Sequence, residues 1–336
     1  MSHKLITVFG ATDAQGSSVL RSLSQNTITP FRLRGTTRNP SFDASKALLT
    51  QVSGLDLVQA DGWDKASMVA AFRDAWGAFV NTNSDDPVFE NPEETRTEVD
   101  LGRLIVDAAV EAGIEVFVYS GLNSAREITG GKGPNKAFDD KHAIGKYVKF
   151  TGASKAVVLA SPGWYFETFL NQELAPVFGD FPYIPSEDGT YVLRYPRWGG
   201  KEDVLLISIA EDYGDIVHGI FLEPEKWDGK LVQGVSDIKS FNEVIAAFER
   251  ATGKTARFDE VPKWQNLEVY GIRALETVKL MFGFCQESGA RYFGEVTEAE
   301  TASQLKRSAR EACGRRYTNA HLSTTENFFK RGFKAQ

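Results

Sequence analysis

The chain has 336 residues, enough for a large buried core, and its 42% hydrophobic and 25% charged content is ordinary for a globular protein. A net charge of −7 without a basic patch argues against direct nucleic-acid binding. Cys285 and Cys313 stand far apart with no ligand set around either, so neither a disulfide framework nor a metal centre is expected. No apolar run approaches the length of a membrane span, and the sequence opens straight into a strand without a signal-peptide pattern, so a cytoplasmic protein is expected.

Leu5-Ile6-Thr7-Val8-Phe9 reads as a strand buried in a parallel sheet. Gly10-Ala11-Thr12-Asp13-Ala14-Gln15-Gly16 follows, and then a helix with Val19, Leu20 and Leu23 on one face. Strand, glycine turn and helix are the context of a dinucleotide site, where the first helical amides and the helix dipole meet a pyrophosphate. Asp13 stands where a middle glycine would complete the fingerprint. The alternative is a tight bend that binds nothing. The second strand, residues 31–36, runs into Thr37-Arg38-Asn39-Pro40. No carboxylate is placed there to accept from a ribose 2′-hydroxyl, whereas Arg38 can fork onto a 2′-phosphate, which favours NADP(H) over NAD. The plain alternative for Arg38 is an exposed loop arginine.

Further strands are expected at residues 55–61, 78–82, 116–120 and 156–160, alternating with helices at 64–74 and about 92–112. Val99, Leu101, Leu104, Ile105, Ala108 and Ala109 give the long helix an apolar face, Gly113 stops it, and Glu93, Glu94 and Glu98 are expected on its solvated side. The polar run from Asn81 through Thr82 and Asn83 to Asp86 leaves a strand's carboxyl end, where doubly wound sheets bind ligands. The segments around Trp63 and Trp76 are expected to pack. After Ser161-Pro162-Gly163 the chain turns irregular and aromatic, then offers a strand at 204–208 and helices at 215–222 and 241–252. The expectation is an α/β protein: a Rossmann-type doubly wound parallel sheet in residues 1–160, with 204–245 returning to it. A smaller, partly interleaved C-terminal α/β domain would be built from 161–203 and 246–336.

Taken in order, several segments resemble the NmrA-like group of atypical short-chain dehydrogenase/reductases, near the isoflavone-reductase-like enzymes. They are Val8-Phe9-Gly10-Ala11-Thr12 with Gln15-Gly16; Thr37-Arg38-Asn39-Pro40; Asp61-Gly62-Trp63-Asp64; Tyr119-Ser120-Gly121-Leu122; Phe138-Asp139-Asp140-Lys141; and Pro162-Gly163-Trp164-Tyr165-Phe166-Glu167-Thr168-Phe169. Glu211-Asp212-Tyr213-Gly214-Asp215 adds another, and the similarity runs from about residue 4 to 260. The resemblance implies an NADP(H) site contacted by Gly10, Thr12, Asp13, Ala14, Gln15, Gly16 and Arg38. It extends the site to Asp61, Gly62, Trp63, Asn81, Thr82, Asn83, Ser120, Gly121, Lys141, Pro162, Gly163 and Tyr165.

Two departures from the family pattern stand out. Asp13 puts a carboxylate where the pyrophosphate approaches; it either turns away as a helix N-cap or repels the cofactor. Thr168 replaces an asparagine near the cleft. None of the ten tyrosines is followed by Lys four residues on, so the usual Tyr-x-x-x-Lys proton donor is missing. Lys141 matches the lysine that the resemblance places beside the nicotinamide, either holding the ribose or exchanging a proton; the alternative is a solvated helix-start lysine. His142 and Tyr165 are the other proton-donor candidates, and Trp164 with Tyr165 suits a flat substrate. Two functions follow: an NADPH-dependent reductase of a small carbonyl, imine or enone, or a non-catalytic NADP(H) redox sensor that regulates a protein partner such as a transcription factor, for which a nuclear location also fits.

Overall fold

The computed structural model describes residues 3–91, 93–314 and 320–333. Strand and helix alternate through its first half: β1 (Leu5–Phe9), α1 (Ala14–Ser24), β2 (Arg32–Thr37), α2 (Asp43–Gln51), β3 (Asp56–Gln59) and α3 (Lys65–Phe72). Then come β4 (Gly77–Val80), α4 (Glu98–Glu111), β5 (Val116–Tyr119), α5 (Ala125–Thr129), α6 (Lys136–Thr151) and β6 (Ala156–Pro162). The second half holds β7 (Trp164–Tyr165), β8 (Tyr191–Pro196), β9 (Val204–Ile207), α7 (Gly214–Leu222), α8 (Pro224–Trp227) and β10 (Leu231–Gly234). It closes with β11 (Asp237–Lys239), α9 (Phe241–Thr252), β12 (Ala256–Val261), α10 (Arg273–Ser288), α11 (Glu300–Ala312) and α12 (Thr325–Gly332).

β4, β5 and β6 are buried along their whole length, which is what a parallel strand covered by helices on both faces requires. The large sheet has seven parallel strands in the order β10-β6-β5-β4-β1-β2-β3. Val8 faces Gly35 on one side and Phe79 on the other, and Val118 in turn faces Phe79 and Val158. The chain leaves β1 toward β2 and β3, then crosses back to β4, so the switch in direction opens a crevice beyond the carboxyl ends of β1 and β4. The expected doubly wound sheet is the fold.

Three local readings change. The helix expected over 92–112 begins at Glu98, because Thr97 and Asp100 form a capping box in which each side chain takes the other's backbone N–H. Pro92 itself lies outside the described residues. The strand at Val204–Ile207 pairs with β7 and β11 in a separate three-stranded sheet, and the strand that returns to the large sheet is β10, with Val232 opposite Ala160. Trp164 is not a cleft residue. Its ring lies within 5.0–6.2 Å of Tyr195, Phe282, Trp198, Phe169 and Phe241, at the centre of an aromatic core under the second half. Truncating such a ring to alanine costs roughly 3–5 kcal/mol.

Charged groups tie distant segments together, within the second half and between the halves. Lys306 of α11 pairs with the fully buried Asp212, and Arg310 reaches Asp215 at 2.7 Å, which also accepts from Ser22 of α1 at 2.6 Å. Arg273, at the start of α10, donates to the carbonyls of Ser84 and Phe89 at 3.1 and 3.2 Å. That last contact fixes the loop that borders the crevice.

Candidate functional site

The crevice begins at the glycine turn after β1. Gly10 has φ +74°, a conformation L side chains rarely adopt, and a Cβ there would lie 3.0 Å from Asp13 Oδ2 and 3.2 Å from the Asn81 carbonyl. Gly16 is needed for a different reason: a Cβ would sit 2.1 Å from the Gly10 carbonyl oxygen, so only glycine lets α1 pack against the turn. Asp13 occupies the N-cap position of α1, but its side chain accepts no capping hydrogen bond. The cap reading is therefore corrected, and the first amides of α1 keep their need for an outside acceptor. Although solvent reaches the Asp13 carboxylate, the walls of the groove desolvate it and raise its pKa. Arg38 opposes the shift, Asp86 adds to it and Lys141 opposes it more weakly.

A groove of about 150 Å³ runs from this turn across the ends of β2 and β3, bordered by Gly10, Thr12, Asp13, Arg38, Asp61, Gly62, Trp63, Asn81 and Asn83. Arg38 keeps 66% of its side chain exposed and meets Asp86 Oδ2 at 3.3 Å across the rim. Phe42, 60% exposed, adds an apolar face that the sequence reading missed. Asp61 shapes its own turn by accepting from the Trp63 amide at 3.0 Å. Trp63 combines packing and lining, with the Arg96 guanidinium 4.6 Å from its ring.

Asp13, Asn81 and Asn83 also border a second cavity of about 350 Å³, which continues the groove under the second half of the chain. Ala14, Gln15, Thr82, Ser120, Lys141, Pro162, Gly163 and Tyr165 line it, with Leu122, Phe138 and Tyr292 as apolar and aromatic walls. Gly16 and Gly121 lie outside these linings; a Cβ at Gly121 would press on the Tyr119 ring at 3.1 Å and on Leu159 at 3.2 Å, so its place is steric. Tyr165 accepts a 2.6 Å hydrogen bond from the Gln15 amide, and burial, opposed by that bond, pushes its pKa up to about 12. Gln15 is itself buried, and its Oε1 has no partner among the described residues.

Lys141 does not sit in solvent at a helix start. Ala137, Phe138, Lys141, Ile144, Gly145 and Val148 form the buried stripe of α6, at helical spacing, which separates Lys141 from Lys136, Lys146 and Lys149. Its ammonium donates to the Thr82 carbonyl and to Thr82 Oγ1 at 3.1 Å, and forms an ion pair with Glu98 Oε1 at 2.9 Å. Glu98 is 3% exposed, which corrects its expected place on a solvated face. The signal was available: Glu98, Leu101, Gly102 and Ile105 fall at i, i+3, i+4 and i+7 on the buried side of α4. His142, one residue past Lys141, points away and meets Glu127 at 3.3 Å beside a separate cavity, so it does not join the cleft.

Among the described residues no helix is long and apolar enough to cross a membrane, and no group of three or more His, Cys, Asp or Glu is placed to hold a metal ion. Comparison with known proteins agrees with the geometry at the level of family. The chain is 45% identical, over 99% of each sequence, to a protein of Cladobotryum sp. named NmrA-like family domain-containing oxidoreductase FrzB. Its fold superposes at a TM-score of 0.73 and 20% identity on NmrA, a negative transcriptional regulator crystallised with NADP, covering 98% of this chain and 95% of that one. An NADPH-dependent quinone oxidoreductase, QOR2, of Escherichia coli, crystallised with NADPH, gives 0.69 and 20%, covering 98% and 99%. At that identity the two structures speak for the fold alone. The NmrA-like family pattern itself matches residues 2–314, and with this breadth and identity the chain belongs to the NmrA-like family.

Proposed function

We propose that the chain is an NADP(H)-dependent reductase of a small organic carbonyl, imine or enone. The observation that carries this reading is adjacency: the groove at the switch point and a cavity of about 350 Å³, with Lys141 and Tyr165 in its wall, share Asp13, Asn81 and Asn83 as a common border. That volume lies within the usual range for small-molecule sites, and Leu122, Phe138 and Tyr292 give the otherwise polar lining an apolar and aromatic wall against which an organic ligand can lie. The oxidoreductase name of the fungal relative and the cofactors in the two structural neighbours support the reading.

The residues fit a dinucleotide. Uncapped first amides of α1 and a glycine turn without side chains are what a ligand's phosphates would complete, and the orphaned Gln15 oxygen would accept from a hydroxyl or amide of the same ligand. Arg38 would hold the 2′-phosphate by exchanging Asp86 for it, and Asp13 would weaken binding whenever it is ionised. When bound, the nicotinamide cofactor supplies the hydride. Lys141, held by Thr82 and Glu98, acts as a fixed cation in the wall. Tyr165 is the group left to give the proton, because its hydroxyl accepts from Gln15 while its own hydrogen has no acceptor among the described residues. In this reading residues 1–160 with the returning 204–245 form the cofactor part, 161–203 and 246–336 the substrate part, and the protein works in the cytoplasm.

One observation favours the sensor reading, with its protein partner: Lys141 is held against Thr82 and Glu98 in the wall and is not free to carry a proton to a ligand. Following NADPH absorbance over a panel of carbonyls, imines and enones separates the two. Turnover with wild type that collapses in Tyr165→Phe supports the reductase. Tight NADPH binding with no turnover on any member of the panel supports the sensor.

A further inference from the structure

Glu98 lies behind the reaction cleft, not in it. It borders a different cavity of about 350 Å³, together with Arg96, Asn135 and Asp140, and reaches the cleft through Lys141 and Thr82. As the first residue of α4 it stands at a helix N-terminus whose dipole favours a carboxylate, held in place by the Thr97–Asp100 capping box. Gly102, one turn on, makes the approach of α6 possible: a Cβ there would fall 2.5 Å from Ile144, one turn beyond Lys141. Oε1 of Glu98 pairs with the Lys141 ammonium at 2.9 Å and accepts from Thr82 Oγ1 at 2.6 Å. Since the Thr82 hydrogen goes to Glu98, the Tyr119 hydroxyl must be the donor in its 2.9 Å contact with Thr82 Oγ1. Oε2 of Glu98 has no partner among the described residues. A buried carboxylate with a bare oxygen is costly, and apolar packing would serve stability better.

We propose that Glu98 is a positioning residue that, with Thr82, locks the Lys141 ammonium to the end of β4 and makes it a fixed cation of the cleft rather than a proton carrier. In the resting protein Lys141 cannot swing toward a ligand without leaving Glu98 unpaired. Its charge therefore stays at one place on the wall, where it holds the ligand's oxygens electrostatically. This deepens the reductase reading and rests on it only for the meaning of the cleft.

The test has one arm that needs no ligand. Lysines of the purified protein are reductively methylated with formaldehyde and a borohydride reagent and quantified by peptide mass spectrometry, with Lys136 of the same helix as internal reference, its side chain 62% exposed. Glu98→Gln is expected to raise the Lys141-to-Lys136 labelling ratio by roughly fivefold or more, because the lock is weakened while the shape is kept. A ratio within about twofold of wild type overturns the proposal. Where Glu98→Gln does not fold, Glu98→Asp, which withdraws the carboxylate by one methylene, takes its place with the same expectation. The second arm is a double-mutant cycle in NADPH affinity, read by tryptophan fluorescence with Glu98→Gln, Lys141→Met and both. If Glu98 acts through Lys141, the double variant binds within about twofold of Lys141→Met alone, whereas additive losses overturn the proposal. Failure of wild type to bind NADPH would sink the reductase reading and leave the labelling arm to decide on Glu98.

Discussion

Arg38 and Lys141 both border the candidate site and each has a carboxylate partner, yet Arg38 leaves 66% of its side chain in solvent against Asp86 while Lys141 leaves 10% against Glu98. An exposed pair is worth about 0–1 kcal/mol and is exchanged for another anion at little cost. A buried pair is different in kind: removing one member strands the other in a poorly solvated place. The adenosine end of the groove is thus built to release its carboxylate to an arriving phosphate, and the reaction end is built not to. The difference teaches that a cation beside a site is defined less by its type than by what its partner would lose.

The sharpest way to break the comparison is Glu98→Ala. It should lower the stability to urea unfolding by roughly 3–5 kcal/mol, the usual consequence of leaving a buried ammonium unpaired. A loss below about 1 kcal/mol would put Lys141 in the same class as Arg38. Next in size, Tyr165→Phe should reduce turnover at least about 10²-fold while NADPH affinity stays within about twofold of wild type, measured by absorbance and fluorescence. Undiminished turnover would return the proton to Lys141 or to water.

At the exposed end the effects are smaller. Arg38→Ala should weaken NADPH roughly tenfold or somewhat more and leave NADH nearly unchanged, since only the former carries the phosphate that charged hydrogen bonds would hold. Equal losses for both cofactors would mean that Arg38 serves adenine, not the phosphate. The smallest effect concerns Asp13. Its pKa is raised mainly by burial, so the folded protein holds this proton to higher pH than a free carboxyl does, and the cost of ionising it is absent below the ordinary carboxylate value and fully present above the raised one. NADPH affinity should accordingly fall a few-fold as pH rises through that window, and Asp13→Asn should flatten the profile. A wild-type profile already flat across it would show that the carboxylate turns from the phosphates.

Much of the site was legible because it follows from local pattern. A β-branched strand, a glycine turn and an amphipathic helix placed Gly10, Asp13 and Gly16 at the switch point, and the end of β2 placed Arg38 on the rim. Lys141 was found through its neighbours in sequence, and its burial was readable from the stripe of α6. Other readings failed where two distant segments meet. Trp164 and Tyr165 are adjacent and alternate faces, so one fills the aromatic core and the other the cleft; only the partners of β7 settle which. Phe42 and Tyr292, far apart in the chain, line the two ends of the site without any motif to announce them.

Periodicity and turn chemistry, which act over a few residues, were enough to determine from the sequence alone the parallel sheet, its switch point and the glycines that close approach demands. The tertiary structure decided which partners the charged groups around the cleft have. Whether Glu98 met water or Lys141 depended on α6 packing against α4 at Gly102, a contact with Ile144 far along the chain. Desolvation is a property of everything packed around a group, and no window along the chain contains it.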